Sequence, residues 1–299
     1  MPKLIDDTNV VLFCSYPKSG NTWLKLFFSL LNKLKSGNNE TFNIREYEKF
    51  FPYVSFSDKK WLQASTDIDV NECDFNQTNE LRSQALKKLC FDNESTHFVK
   101  GHDYCFNLSD NKRLFQDNPS MKVIYIVRNP LDIAVSLSHF ADLDLNTSVE
   151  FLTSDYAYIP HDKDKEVLQK LQSWSNHVKS WLAVPFENFL FIKYEDMLHQ
   201  SYDTFKKICD FINVPVSKSE LNYLLENSSF DAFNSAEKKY GFHERVVEHR
   251  NFFHKGQTDQ WREKLTQEQV DIIYSQHKEV MNQLGYACKP EGTSTMEPS

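Results

Sequence analysis

The chain has 299 residues, 40% of them hydrophobic and 14% aromatic, with 24 Phe, which is the composition of a folded globular protein and excludes a disordered one. Its formal net charge of −8 excludes a general nucleic-acid binder, because a phosphate backbone demands a basic footprint. Any anionic ligand must therefore sit in a local basic pocket of an acidic protein.

Residues 10–15 (VVLFCS) are continuously apolar and β-branched, the pattern of a strand buried on both faces. A polar turn, 16–22, follows directly. Apolar residues at 23, 27, 30, 31 and 34 then mark a helix that closes with Lys33, Lys35 and Gly37. Residues 38–95 are polar and aromatic-rich, and the helices expected there have no clear bounds. A very short strand, 98–100, ends at Gly101. Residues 123–127 (VIYIV) form a second buried strand that runs into Arg128, and Asn129, Pro130 and Asp132 supply an N-cap, a first-turn proline and an acid at N3. An amphipathic helix is expected near 164–183, a third buried strand at 189–194, and helices near 201–213 and 218–226. A last helix starts at the Thr266–Gln269 capping box.

Strands alternating with helices predict an α/β fold of three layers, a central parallel sheet flanked by helices. No linker, repeat or low-complexity tract interrupts it, so residues 1–287 are read as a single domain and 288–299 as a disordered tail. The six cysteines, at 14, 73, 90, 105, 209 and 288, lack metal-ligand spacing and read as reduced thiols. No apolar run approaches the ~18 residues of a bilayer span and no signal pattern starts the chain, so a cytoplasmic location without a membrane partner is expected.

Four segments carry candidate chemistry. Between a buried strand and a helix N-terminus, residues 16–23 (YPKSGNTW) offer unpaired amides, the positive end of a helix dipole, the Lys18 charge and the Ser19 and Thr22 hydroxyls, all suited to phosphate. The segment is not a Walker loop, since Lys18 precedes Gly20. Arg128 leaves the end of a buried strand, where ligands of open parallel sheets collect, and Ser136 lies two helical turns beyond Asn129. His102, beyond the end of the short strand 98–100, can act as a base at neutral pH, with Lys100 beside it to neutralise developing charge; taken alone, such a histidine is more often structural. Residues 252–261, with Lys255-Gly256, read locally as a surface loop.

Together these segments resemble the cytosolic sulfotransferase family. Residues 16–23 match its Y-P-K-[SA]-G-[TN]-T-W motif and 128–136 its R-N-P-x-D-x-x-V-S motif, while Lys100-Gly101-His102 stands where that family has K-T-H. Further similarity lies in 174–181, 194–197 and 228–231, so the resemblance spans residues 8–286 in order, with general character closest to bacterial or algal small-molecule members. It implies a P-loop-like 5′-phosphosulfate-binding loop, 3′-phosphoadenosine 5′-phosphosulfate (PAPS) as co-substrate and PAP as product, with no metal. By the same resemblance Lys18, Ser19, Gly20, Asn21, Thr22 and Trp23 hold the 5′-phosphosulfate and stack the adenine. Arg128, Ser136, Lys255 and Gly256, with His254 in place of the usual arginine, hold the 3′-phosphate, while Tyr194, Ser228 and Phe230 line the adenosine. His102 would be the general base, with Lys100 and Lys18 stabilising the bridging oxygen.

The departures are His254, which would leave Arg245 or Arg250 to substitute, and the family's dimer pattern, which Arg262, Thr266, Gln267 and Asp271 match without its valine. Monomer and homodimer both stay open. Rival readings are an ATP-dependent small-molecule kinase, which needs Mg²⁺, and a non-catalytic nucleotide-binding relative. The acceptor is expected to be a small molecule, polar or cationic, because Asp103, Asp142, Asp144 and Asp155 flank the site segments; Phe106, Tyr156, Tyr158 and Tyr240 suit a flat phenol or a cation.

Overall fold

The computed structural model describes residues 7–37, 44, 47, 53–108, 113–160, 162, 164–242, 244, 245, 247, 249–253 and 256–286. The tail beyond 286, His254 and Lys255 lie outside these residues. Chain order runs β1 (Val10–Ser15), α1 (Asn21–Lys35), β2 (Tyr53–Ser55), α2 (Lys59–Ala64), α3 (Phe75–Cys90), β3 (His97–Gly101), β4 (Met121–Val127), α4 (Pro130–Ala141) and α5 (Leu145–Thr153). There follow β5 (Tyr158–Ile159), β6 (Gln169–Lys170), α6 (Trp174–Leu182), β7 (Phe189–Lys193), α7 (Tyr194–His199), α8 (Ser201–Phe211), α9 (Lys218–Asn227), α10 (Phe230–Tyr240), α11 (Trp261–Lys264) and α12 (Gln267–Gln283).

Among the described residues a five-stranded sheet has the order β2-β3-β1-β4-β7, and every pairing in it is parallel. β1 is central and every residue of it is buried, as its unbroken apolar run requires. The pleat sends alternate residues to opposite faces. Val10, Leu12 and Cys14 join Val123, Tyr125, Trp174, Trp181 and Met281 in one core, which α3 to α6 and α12 cover. Val11 and Phe13 join Leu24, Phe27, Phe28, Phe205, Ile208 and Leu224 in the other, beneath α1, α8 and α9. These are the three layers expected from the sequence. Among the described residues no helix is long and apolar enough to cross a membrane, and none of the five described cysteines forms a disulfide.

One expected element is wrong. Residues 164–173 do not extend α6 but run along the sheet edge. Lys59 N donates to Lys165 O and Val167 N to Ser57 O, both at 2.9 Å, and Gln169–Lys170 pairs with Tyr158–Ile159 as an antiparallel ribbon. Gln172 has φ 60° and Ser173 is extended, so the helix cannot start before Trp174. Val167 and Leu171, spaced as on one helix face, instead reach separate cores.

Candidate active site

The carboxyl ends of the five strands deliver the candidate residues in spatial order. β2 runs into Ser55 and Ser57, β3 into Lys100 and His102, β1 into the loop 16–20, β4 into Arg128 and β7 into Tyr194. With strands ~4.8 Å apart, this row is roughly 19 Å long. A cavity of about 660 Å³ opens along it. Of the residues expected to bind a donor or catalyse, Lys18, Gly20, Asn21, Thr22, Trp23, Lys100, His102, Arg128, Ser136, Tyr194, Phe230 and Gly256 line this cavity. Ser19 and Ser228 are buried without reaching its wall. A smaller cavity of about 170 Å³ shares Trp23 and Phe230 with it.

The β1–α1 loop turns tightly: Lys18 has φ 67° and Gly20 φ 109°. A Cβ on Gly20 would lie 2.9 Å from Tyr194 Cδ2, so both conformation and packing require glycine. The loop leaves the first amides of α1 without a side-chain cap, at the positive end of the helix dipole. Around it, Ser19 Oγ, Asn21 Oδ1, Trp23 Nε1 and Arg128 Nε are buried with no hydrogen-bond partner among the described residues. Buried polar atoms are rarely left so, and four in one loop and its neighbour mark a place made for a polar ligand.

Arg128 braces the site. Its Nη1 donates to Lys18 O at 2.9 Å, its Nη2 to Gln257 O at 3.3 Å, and its guanidinium lies 4.3 Å from the Tyr194 ring centroid. Asp132, expected as an acid at N3, is buried and reaches away from its own helix. Asn129 caps α4 by accepting from Leu131 N, while Asp132 accepts from Asp259 N at 2.8 Å and Trp261 N at 3.3 Å. The loop ahead of α11 is thus tied to α4. Within it Gly256 has φ 58°, and a Cβ there would fall 2.1 Å from Phe230 Cδ2. Neither Arg245 nor Arg250 reaches the cavity as a substitute for His254: Arg245 pairs with Glu237, and Arg250 with Asp142 and the carbonyls of Ser138 and His139.

Burial sets the protonation states. Lys18 Nζ lies over Phe140 at 3.8 Å and Phe252 at 4.4 Å. Burial, with Arg128 next in size, lowers its pKa to about 7 despite those rings. His102 Nδ1 is 2.9 Å from Ser15 O, which fixes the proton on Nδ1 and leaves the Nε2 lone pair open. Burial first and Lys100 second hold the imidazole well below its usual pKa, so it is neutral at pH 7. His177, which the sequence did not single out, donates from Nε2 to His102 O at 2.8 Å and accepts at Nδ1 from Tyr125 OH at 2.8 Å. Burial lowers it to about 4, so it stays neutral too.

Gly101 replaces the family's threonine between Lys100 and His102 because Cys14, its register partner on β1, fills the space: a Cβ would sit 2.9 Å from Cys14 Sγ. Sequence reasoning also missed Glu244. It accepts from Thr22 Oγ1 at 2.9 Å and from Tyr47 OH at 2.6 Å, and it pairs with Lys25, which is fully buried on α1. Burial would raise the Glu244 carboxyl, but Lys25 and Lys100 hold it well below the usual range. A lysine on the inner face of α1 was the signal that an acid must meet it.

The acids expected to meet a cationic acceptor are engaged elsewhere. Asp103 is fully buried against Arg82, with Arg82 Nη1 to Asp103 Oδ1 at 3.1 Å. Asp142 pairs with Arg250, Asp144 caps α5, and Asp155 accepts from Asn176. Of the aromatics, Tyr156 is 88% exposed and Phe106 stacks on Tyr104.

Residues 8–285 match the sulfotransferase domain family. The chain belongs to that family. Relatives of this sulfotransferase include sulfotransferase 2A2 of Rattus norvegicus, 32% identical over 93% of this chain and 86% of the relative. Flavonol 3-sulfotransferase of Flaveria bidentis is 27% identical over 89% and 79%. The fold is shared with retinol dehydratase in complex with androsterone and inactive cofactor PAP, at TM-score 0.60, 21% identity and 91% and 80% coverage. It is shared also with mouse sulfotransferase SULT7A1 complexed with PAP, at TM-score 0.56, 21% identity and 92% and 85% coverage.

Proposed function

We propose that the chain moves the sulfuryl group of PAPS, in line, onto a hydroxyl or amine of a small-molecule acceptor. The observation that carries this reading is the cluster of orphaned buried donors and acceptors on the loop 19–23 and Arg128, at the ends of adjacent parallel strands. A ligand with an anion at each end fits such a row, the 5′ end at the first turn of α1 and the 3′ end against Arg128, Ser136 and the Gly256 turn. Trp23, Tyr194 and Phe230 offer the aromatic walls a nucleoside needs between them.

In the step itself the acceptor oxygen or nitrogen bonds to sulfur as the bond from sulfur to the bridging phosphate oxygen breaks. The acceptor proton passes to His102 Nε2. PAP departs with the electron pair, and the Lys18 and Lys100 ammonium groups offset the charge that grows on the bridging oxygen. The Ser15 carbonyl holds the imidazole in its working tautomer, and His177 ties down the His102 backbone. Purified protein incubated with ³⁵S-labelled PAPS and an acceptor panel tests the reading. Label transfer to an acceptor supports it. Phosphoryl transfer from ATP and Mg²⁺, with no transfer from PAPS, would replace it with the kinase.

A further inference from the structure

The wall facing His102 is built from polar side chains. In the segment YVSFS (residues 53–57), alternation sends Val54 and Phe56 into a core and Tyr53, Ser55 and Ser57 toward the cavity. Tyr53 and Ser55 of the edge strand and Ser57 of the turn after it thus carry hydroxyls, where an apolar acceptor would ask for Val, Ile or Phe. Ser55 pairs with Lys100 across the sheet, so these hydroxyls adjoin the transfer centre. Ser55 Oγ and Ser57 Oγ are 3.1 Å apart; one shared proton leaves the pair with a second proton to donate and lone pairs to accept with. Facing them from β6 is Gln169, 3% exposed, which also lines the cavity. Its carboxamide has no hydrogen-bond partner among the described residues. The amide opens into the cavity, where a ligand's hydroxyls can meet it.

We infer that the acceptor is a neutral, hydroxyl-rich ring, a sugar or cyclitol, held by Ser55, Ser57 and Gln169. The inference rests on the sulfuryl-transfer reading above. A cation is disfavoured because Lys100 lies beside His102, Glu244 already serves Lys25, Tyr47 and Thr22, and Glu166, the other acid lining the cavity among the described residues, has Lys165 next to it in the same lining. A steroid or simple phenol would leave the second hydroxyl proton of the serine pair and the amide unmet. Such mismatches, unlike a missing methylene, discriminate strongly.

The test is kcat/KM with ³⁵S-labelled PAPS for glucose, N-acetylglucosamine and myo-inositol against androsterone, p-nitrophenol and a flavonol. The full chain is compared with its Ser57→Ala and Gln169→Leu variants, and PAP binding by calorimetry checks the fold of each. At least one hydroxyl-rich acceptor should exceed every apolar acceptor tenfold or more. Each variant should lower that acceptor's kcat/KM about tenfold, the scale of one buried hydrogen bond, with PAP affinity unchanged. If PAP binds but no hydroxyl-rich acceptor outperforms androsterone and p-nitrophenol, the acceptor inference falls and the transferase reading stands. The inference falls equally if either variant leaves the polyol rate unaltered. Failure to bind PAP at all would remove both. Should Ser57→Ala lose PAP binding through misfolding, Ser57→Thr, which keeps the hydroxyl, and Gln169→Glu decide the matter in the same assay.

Discussion

Lys18 should make donor binding a proton-uptake reaction. Its ammonium is buried beside Arg128 and its pKa in the free chain is about 7, so the amine is mostly neutral at pH 8. An incoming phosphate dianion favours the charged form, and the bound pKa must rise. The sign follows: affinity is greatest below pH 7 and declines as pH rises through it. The protonated fraction is about three-quarters at pH 6.5 and about one-tenth at pH 8, so the Kd for PAP should weaken about eightfold over that interval. At pH 8 binding should take up about 0.9 proton, and the ligand adds little there because its phosphates ionise near pH 6. His102, already neutral, contributes nothing at that pH. Calorimetry in two buffers of different ionisation enthalpy measures the uptake directly. Lys18→Met, whose side chain still fits between Phe140 and Phe252, should abolish it and flatten the pH dependence. Uptake below about 0.2 proton at pH 8, with a Kd constant from pH 6.5 to 8, would refute the linkage.

Three further outcomes follow from the same geometry. His102→Ala should lower kcat by about 10²–10⁴ and leave PAP affinity within twofold, while the intact protein keeps a flat kcat from pH 6.5 to 8 at saturating PAPS; stopped turnover assays with a neutral acceptor check both. Asp103→Asn leaves the buried Arg82 guanidinium without its counter-charge, a loss of about 3–5 kcal/mol that should lower the thermal midpoint by roughly 5–8 °C without reordering acceptors. Gly256→Ala drives a Cβ into Phe230 and should weaken PAP binding tenfold or more by calorimetry, with part of the affinity regained in the Gly256→Ala, Phe230→Ala double variant.

The parallel core was legible because β1 and β4 are buried on both faces, β7 at the sheet edge on one, and all three carry apolar runs bounded by turn residues. The donor side was legible for a related reason: anion binding by a loop and a helix start needs Lys, Ser, Gly and Thr adjacent in sequence. What escaped was set by contacts far apart in the chain. Glu244 meets Thr22 and Lys25 across more than two hundred residues, and the local pattern of 243–250 names no partner. Asp103 looked like an acceptor ligand only because it follows His102; the backbone turns it away to Arg82 on α3. Residues 164–173 showed apolar spacing near 3.6, yet a left-handed Gln172 and the pull of Ser57 and Lys59 backbone groups draw them into an edge ribbon. The stripe of Tyr53, Ser55 and Ser57 was readable from its alternation, but three residues of strand are too short to stand out amid an aromatic-rich segment.

The position of each strand end in the sheet bears on how such a protein can change. The loops that would grip the donor stem from β1 and β4, at the centre, and are cross-braced by Arg128 and Asp132 to the turn before α11. A substitution there disturbs several loops together. The wall near His102 stems from the edge strand β2 and the β5–β6 ribbon, which no further strand covers among the described residues. Replacement of Ser55, Ser57 or Gln169 therefore changes the chemistry presented to an acceptor while the nucleotide grip stays fixed. The fold separates a fixed handle from an exchangeable socket, and new acceptors can be reached by editing one margin of the sheet.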